Sequence, residues 1–443
     1  MIDLVVRGGT LVSVDGQSRA DVAIEDGCIV EIAPGLPGAR EEVDAAGLLV
    51  MPGVIDVHLH FNEPGRTAWE GAATGSRALA AGGGTLFFDM PLNSTPCTIS
   101  ASDFDLKHAA LEASSVTDFA LWGGLVPGRV GEMAEVAARG VVGFKAFMCD
   151  SGLPEFPRAD DVTLFEGLRE AARLGRPVAV HAESEELTRG WSRSMAGRNA
   201  RDFLESRPVL AELEAIQRAL LFAADSGAML HLVHVSSGRG VAMAAEARAA
   251  GVDVSIETCP HYLFFTEEDL EQLGTIVKCA PPLRSRAEQE SLWSGVLEGR
   301  VDIVASDHSP TEPALKGVEF WCAWGGIAGV QSTLAVLLER GHHVRKLPLE
   351  RIVSLVAAAP AQRFGIRGKG SLLTGFDADI LLLDPAESFT LEPGDLHQRH
   401  KMSPYVGSSF RGRVRRTIRR GETIFADGRC TAQRNGKLVR PSR

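Results

Sequence analysis

The sequence predicts an α/β protein, a closed (β/α)8 TIM-like barrel joined to a small β-sandwich domain that is built from both chain ends. In the middle of the 443-residue chain, eight apolar, strand-like runs alternate with amphipathic segments. Repeated strand–helix units indicate a parallel sheet, and eight of them favour a closed barrel over the alternative, a doubly wound open sheet. Short strands separated by Asp-Gly turns near the start, and strand-like runs near the end, indicate the second domain.

The predicted barrel strands are short apolar runs, and helical segments such as 71–82 and 161–174 separate them. The span from His58 to Asp307 fits one barrel circuit, which takes about 250 residues. The eight predicted strands are 54–60, 85–89, 118–122, 141–147, 177–181, 229–235, 252–256 and 301–306.

The two chain ends share the signals of a β domain. The runs 376–384 and 415–424 are strand-like and are followed by turns, as are the short runs at the start of the chain. We therefore expect residues 1–52 and 373–443 to form one β domain, with the barrel, residues 53–372, inserted between them.

Composition narrows the class of protein. A net charge of −11 argues against a nucleic-acid partner. The chain has no apolar stretch of about 18 residues that could span a bilayer, and its start lacks the pattern of a secretory signal. The seven cysteines are scattered, without a Cys-x-x-Cys pair, which is typical of reduced thiols. We expect a cytoplasmic protein that binds neither membranes nor nucleic acid.

Two histidines end the first predicted strand. Side chains alternate along a strand, so His58 and His60 face the same way. Two imidazoles on one face can bind one metal ion together. Taken alone, the pair also fits two histidines without a function, and the rest of the pattern decides between these interpretations.

The other candidate residues also lie at or near the ends of predicted strands, and in a barrel these ends meet at one mouth. Lys145 lies between two phenylalanines, where burial of an amine is costly unless it is paired or modified. Each candidate has a structural alternative: a core histidine, a lysine that reaches the surface, or a helix-capping aspartate. Their joint position favours a metal site. The candidates are His58, His60, Lys145, His181, His234 and Asp307.

The remaining histidines receive no functional assignment. His231 lies on the opposite face of its strand from His234, so we assign it a structural role. The glycines at 82–84 resemble a phosphate-binding loop, but a helix end fits them better because no strand precedes them in the required order. The histidines in helical or connecting stretches are His108, His342, His343, His397 and His400.

Beyond these residues, the chain resembles the amidohydrolase superfamily over nearly its whole length. Within it, the sequence is similar to the cyclic amidohydrolases, which include dihydroorotases, hydantoinases and allantoinases, and the allantoinase group matches best. The stretches that carry the resemblance are GVIDVHLHFNEPGR, DMPLNSTP, GFKAFMCDSGLPEF, VHAE, LVHVSSGRG, ETCPHYL, KCAPPLR, SDHSP, AWGGIAGVQS and HKMSPYVG.

The resemblance implies a centre of two divalent metal ions, most often zinc in this family. His58, His60 and Asp307 would bind the more buried ion, and His181 and His234 the more exposed one. Lys145, modified to a carbamate, would bridge both, because carbamylation turns its cation into an anion. A homo-oligomer, often a tetramer, is also implied.

The implied reaction is hydrolysis of the cyclic amide of allantoin to allantoate. A hydroxide that bridges the two metals would attack the ring carbonyl, and Asp307 would pass its proton to the leaving nitrogen. The alternatives are a hydantoinase or dihydropyrimidinase, and a non-catalytic scaffold of the same fold. Scaffold relatives typically lose metal ligands, whereas all six are present here.

Four residues are predicted to bind the substrate: Asn62, Asn93, Ala280 and Gly326. Dihydroorotases usually carry an arginine at or near the position of Asn62, and a neutral amide suits allantoin better. Hydantoinases tend to place a tyrosine shortly after the lysine, where this chain has 148–150 as Met-Cys-Asp. Asn93 resembles a substrate-contacting asparagine of the family. Relatives often have serine in the position of Ala280.

Overall fold

A parallel barrel forms the centre of the computed structural model, which describes residues 2–432 and 434–442. Its strands follow each other around the ring in chain order, and neighbouring strands pair in parallel. A short continuation of the third strand, Gly123–Gly124, pairs with the fourth. The eight strands are Val54–Leu59, Gly84–Asp89, Asp118–Leu121, Phe144–Phe147, Val178–His181, Leu230–Leu232, Val254–Thr258 and Ile303–Val304.

The ring closes between its last and first strands. The backbone N–H of His60 donates a hydrogen bond to the carbonyl of His308 at 2.8 Å, and Leu59 and His308 form a parallel bridge. Apolar side chains such as Val57, Phe88 and Trp122 fill the interior, so the polar residues at the strand ends lie at the mouth. The predicted fold class is confirmed.

Helices connect the strands and begin where the sequence supplies caps. The side chain of Asp160 accepts a hydrogen bond from the N–H of Thr163, and Gly175, with φ of 63°, ends the same helix. The α-helices are Ala72–Ala81, Ala101–Ser114, Met133–Arg139, Asp161–Leu174, Glu185–Ser194, Ala200–Ser206, Val209–Ser226, Gly238–Ala249, Pro260–Phe264, Glu267–Leu273, Arg286–Leu297, Pro313–Lys316, Thr333–Val336, Leu349–Val353 and Ala359–Arg363. The 3-10 helices are Val130–Glu132, Gly274–Val277, Val330–Ser332 and Pro393–Asp395, and the π-helices are Leu337–Val344 and Ser354–Ala358.

Strands from both chain ends form two further sheets. Leu49–Pro52 pairs antiparallel with Ile380–Thr390, so the two ends share one sheet. Apolar side chains from both sheets, among them Val6, Val22 and Ile380, pack into one core, as in a sandwich. The larger sheet contains, in spatial order, Arg429–Cys430, Glu422–Ala426, Ser409–Arg419, Ile380–Thr390, Leu49–Pro52, Thr10–Ser13 and Gly16–Arg19. The smaller one contains Cys28–Ala33, Asp21–Glu25, Leu4–Arg7 and Glu41–Asp44.

A buried ion cluster joins the barrel to these sheets. Lys369 donates to Asp118 of the third barrel strand at 3.0 Å and to Asp379, beside the larger sheet, at 2.7 Å. Over the ranges that the structure describes, no helix is long and apolar enough to cross a membrane.

Candidate metal centre and substrate cavity

Asp307 faces both histidines of the first strand. His58 and His60 end Val54–Leu59, and Asp307 follows the last strand, Ile303–Val304. Its Oδ1 lies 3.3 Å from Nε2 of His58 and 3.4 Å from Nε2 of His60. Residues that are far apart in sequence thus meet at the mouth, as expected from the barrel.

A second histidine pair lies beside the first. Nδ1 of His181 is 3.0 Å from Nε2 of His234, and the centroids of the two rings are 4.6 Å apart. The ring of His234 also lies 5.4 Å from that of His58. The two pairs therefore form one cluster of imidazoles.

Lys145 lies among these histidines with its side chain fully buried. Within the described residues, its Nζ has no hydrogen-bond partner, and it lies 5.1 Å from the ring centroid of Phe147, which stacks on His181. Burial lowers the pKa of Lys145 to about 8. A buried amine without an acceptor is costly, so this position favours a modified lysine or a bound partner.

The electrostatics prepare the histidines to act as ligands. Burial lowers the pKa of His58 and His181, and that of His234 falls well below its ordinary value. Their neutral rings keep a lone pair free for a metal. Burial opposes ionisation of Asp307, but the nearby rings of His58 and His60 outweigh it and lower the pKa of Asp307.

The donor set fits divalent metal ions. Ligand atoms of His58, His234 and Asp307 lie within 4.8 Å of one another. In the part of the chain that the structure describes, Nδ1 of His60 and Nδ1 of His234 lack hydrogen-bond partners although they are buried. Imidazole and carboxylate are typical zinc ligands. All six predicted ligands line one cavity of about 430 Å³.

Two buried glutamates contact these histidines, and neither was predicted as a site residue from the sequence. Oε1 of Glu257 lies 2.7 Å from Nδ1 of His58, and its Oε2 lies 3.0 Å from Nε2 of His231. Glu183 lies 2.8 Å from Nε2 of His181. Both glutamates lie at or near strand ends, which is the signal that identifies them. The pKa of Glu257 falls to about 2, because the two imidazoles outweigh the effect of burial.

Two further polar side chains lie in or beside the cavity, Arg207 in its lining and His261 outside it. Arg207 lines it and donates to Glu183 at 2.5 Å. His261, after the seventh strand, has a ring nitrogen within 4.8 Å of a carboxylate oxygen of Asp307, and burial lowers its pKa to about 4. No spacing pattern in the sequence distinguishes these residues from structural ones.

Three of the four predicted substrate contacts line the cavity: Asn93, Ala280 and Gly326. Nδ2 of Asn93 donates to Oγ of Ser309 at 3.3 Å. Asn62 lies outside the lining set and is 1% exposed, and its amide nitrogen donates to the carbonyl of Pro310 at 3.3 Å. Its predicted contact with substrate is untested, and the bond to Pro310 favours a structural role for Asn62.

The remaining histidines lie elsewhere. His231 is fully buried and contacts Ser255 and Glu257. The set of described residues that line the cavity also excludes His108, His308, His342, His343, His397 and His400.

Comparison with known proteins places the chain among hydrolases of cyclic amides. The model of the amidohydrolase family matches residues 49–424. A protein named allantoinase from Solibacter usitatus is 63% identical over 100% of this chain and 97% of its own. Another, from Rubrobacter xylanophilus, is 58% identical over 100% of this chain and 98% of its own. A solved L-hydantoinase (dihydropyrimidinase) from Arthrobacter aurescens superposes with a TM-score of 0.97 at 34% identity, covering 99% of this chain and 100% of its own.

Proposed function

Because the chain belongs to the amidohydrolase family, we propose that it is a metal-dependent allantoinase, which opens the ring of allantoin to give allantoate. One observation carries the proposal: six side chains of ligand type line a single cavity, in a chain that matches an allantoinase over its full length. The enzyme would act as a cytoplasmic homo-oligomer, such as a tetramer.

The proposed metal centre holds two divalent ions, with zinc as the expected metal. His58, His60 and Asp307 would hold one ion, His181 and His234 would hold the other, and Lys145, modified to a carbamate, would contribute to both sites. The buried, unpartnered amine of Lys145, counted over the described residues, supports its modification. A carbamate removes the cost of a buried cation and supplies two oxygen ligands.

When bound, the ions would lower the pKa of a water and polarise the ring carbonyl. Asp307 is placed to accept a proton at its carboxylate, because its lowered pKa keeps it ionised. It then delivers this proton to the ring nitrogen as the carbon–nitrogen bond breaks. The product carries a new carboxylate and the released ureido nitrogen, so that one water is consumed for each ring opened.

The cavity residues orient the ring for this step. The amide of Asn93 can both donate and accept hydrogen bonds, which suits the ureido groups of a neutral substrate. Aromatic side chains of the lining, Phe147, Trp321 and Trp324, exclude water around it.

A hydantoinase or dihydropyrimidinase is the second candidate, favoured by the close structural match to an L-hydantoinase. A scaffold role is the weakest alternative, since all six ligand-type residues are present. We expect purified protein with about two divalent ions per chain to hydrolyse allantoin in preference to hydantoin, dihydrouracil and dihydroorotate. A clear preference for another ring in this panel would refute the assignment, and a protein that binds no metal would refute the mechanism.

A further inference from the structure

A segment without regular secondary structure forms one side of the cavity. Residues 320–326, here called the wall segment, follow the short helix Pro313–Lys316, and six consecutive members, 321–326, line the cavity. A segment without helix or strand must satisfy its backbone carbonyls in another way. The source of those hydrogen bonds therefore determines where the wall lies.

Lys278 donates three hydrogen bonds to carbonyls of the wall segment. Its Nζ donates to the carbonyls of Phe320, Trp321 and Ala323 at 2.8, 3.1 and 2.7 Å. Its own carbonyl accepts the backbone N–H of Gly326 at 2.8 Å. One residue thus binds both ends of the wall segment.

Lys316 donates two more hydrogen bonds to carbonyls of the wall segment. Its Nζ donates to the carbonyls of Trp324 and Gly326 at 2.9 and 2.7 Å, and to that of Thr275 at 2.8 Å. Together the two amines bind five of the seven carbonyls of the wall segment. The two side chains therefore replace the hydrogen bonds that a helix or a strand would otherwise provide.

Both lysines suit this task only as ammonium ions. Each Nζ has three carbonyl acceptors, and an ammonium has three N–H groups, whereas a neutral amine has two. The residues are 6% and 7% exposed. Burial lowers the pKa of Lys278 to about 8 and that of Lys316 to about 7, and three acceptors around each amine oppose that shift because they favour the charged form.

We propose that Lys278 and Lys316 are positioning residues that hold the wall segment at the distance from the metal centre that fits the substituted ring of the substrate. This inference rests on the proposed function. Other contacts of the wall are made by its aromatic side chains: Trp321 packs against Phe203 and Arg198 and donates to the carbonyl of Asn199. Among the side chains that the structure describes, only those of the two lysines donate hydrogen bonds to the carbonyls of the wall segment. Their loss should move the wall and leave the metal ligands in place.

The test compares lysine-to-methionine variants, which keep length and remove all donors, with lysine-to-glutamine variants, which keep two donors without the charge. We expect Lys278→Met and Lys316→Met to raise KM for allantoin about tenfold, the loss expected from one or two hydrogen bonds. The expected change in kcat is less than about threefold, and metal content stays unchanged. KM for hydantoin, whose ring is unsubstituted, should change less than KM for allantoin. Lys346→Met, at an exposed lysine whose Nζ donates to the carbonyl of His343, is the matched control.

Hydrogen–deuterium exchange supplies a readout that is independent of activity. Amides of 320–326 should exchange faster in both methionine variants, less so in the glutamine variants, and at the wild-type rate in Lys346→Met. Unchanged KM with unchanged exchange would overturn the proposal. So would a lower melting temperature and kcat with KM unchanged, which marks a purely structural role. If the wild-type chain prefers another cyclic amide, the proposed function fails. The role of the two lysines is then tested by KM for that amide and by the exchange rates of residues 320–326.

Discussion

Glu257 accepts a hydrogen bond from Nδ1 of His58 across 2.7 Å, and this contact determines which nitrogen of His58 faces the candidate metal centre. With Nδ1 protonated, Nε2 keeps its lone pair and points at Asp307, 3.3 Å away. A carboxylate behind a histidine ligand orients the ring and raises its basicity. The same glutamate binds His231, which explains why that buried histidine lies outside the cavity.

Replacement of Glu257 should therefore weaken metal binding without removing a ligand. In Glu257→Gln, the amide keeps the size of the side chain but loses the charge that balances two imidazoles. We expect metal affinity to fall by about 10- to 100-fold, measured as metal retained during titration with a chelator. Glu246→Gln, at an exposed helix position, is the control. Equal retention in both variants would show that Glu257 does not support the site.

Lys145→Ala should abolish activity and reduce metal content, because the proposed bridging group is lost. A high concentration of a short carboxylate should restore part of the activity by replacing the carbamate oxygens. Metal analysis and turnover with and without the added acid are the measurements. A variant with full metal content and full activity would exclude a bridging role for Lys145.

The histidine cluster predicts how the stability of metal-free protein depends on pH. Burial lowers the pKa of His58, His181 and His234 in the folded state, so the unfolded chain binds more protons below about pH 6.5. The contribution of these histidines to the free energy of unfolding should therefore fall as pH decreases from 7 to 5, by up to about 1.4 kcal/mol per pH unit for each such group. The lowered pKa values of Glu257 and Glu183, about 2 each, stabilise the fold in this pH range, and their contribution is lost only as pH falls from 4.5 towards 2.

Urea unfolding of chelator-treated protein at several pH values measures this dependence. His234→Asn removes one of the groups, so its slope between pH 7 and 5 should be smaller than that of the wild type. Equal slopes would mean that His234 titrates normally in the folded chain.

The sequence predicts the barrel and the gathering of candidate ligands for one physical reason. Parallel strands bring their carboxyl ends together, so His58 and Asp307 meet although the whole barrel separates them in sequence. Glu257 directly follows a predicted strand, but it was not predicted as a site residue because its partners, His58 and His231, lie on other strands and leave no local pattern around it. The roles of Lys278 and Lys316 were not predicted, because their partners are backbone carbonyls of an irregular segment, which leave no pattern in the sequence.

Asp307→Asn tests the proposed proton transfer. The side chains are nearly isosteric, but an amide cannot accept the proton, and kcat should fall by about 10² to 10⁴. Weaker metal ligation would add to this loss. Turnover at saturating metal separates the two effects, and circular dichroism checks that the fold is retained. Activity within about tenfold of the wild type would assign proton transfer to another group, for which His261, with a ring nitrogen within 4.8 Å of Asp307, is a candidate.

The last prediction separates two asparagines that the sequence alone treats alike. Asn93 lines the cavity, with its amide beside Ser309, whereas the amide of Asn62 bonds the carbonyl of Pro310 behind the cavity surface. Both have positive φ, 71° at Asn93 and 61° at Asn62, so the direction of each side chain follows its loop and not the alternation of a strand.

We expect Asn93→Ala to raise KM for allantoin about tenfold, because a hydrogen-bonding group of the cavity is lost. Asn62→Ala should leave KM near the wild-type value. The melting temperature should fall in both variants, since each loses a buried 3.3 Å hydrogen bond and places alanine at a positive φ. Steady-state kinetics and thermal unfolding of the two variants, side by side, measure this. If Asn62→Ala raises KM and Asn93→Ala does not, the loop after His60 contacts the substrate directly, and the cavity must open further than this structure does to admit it.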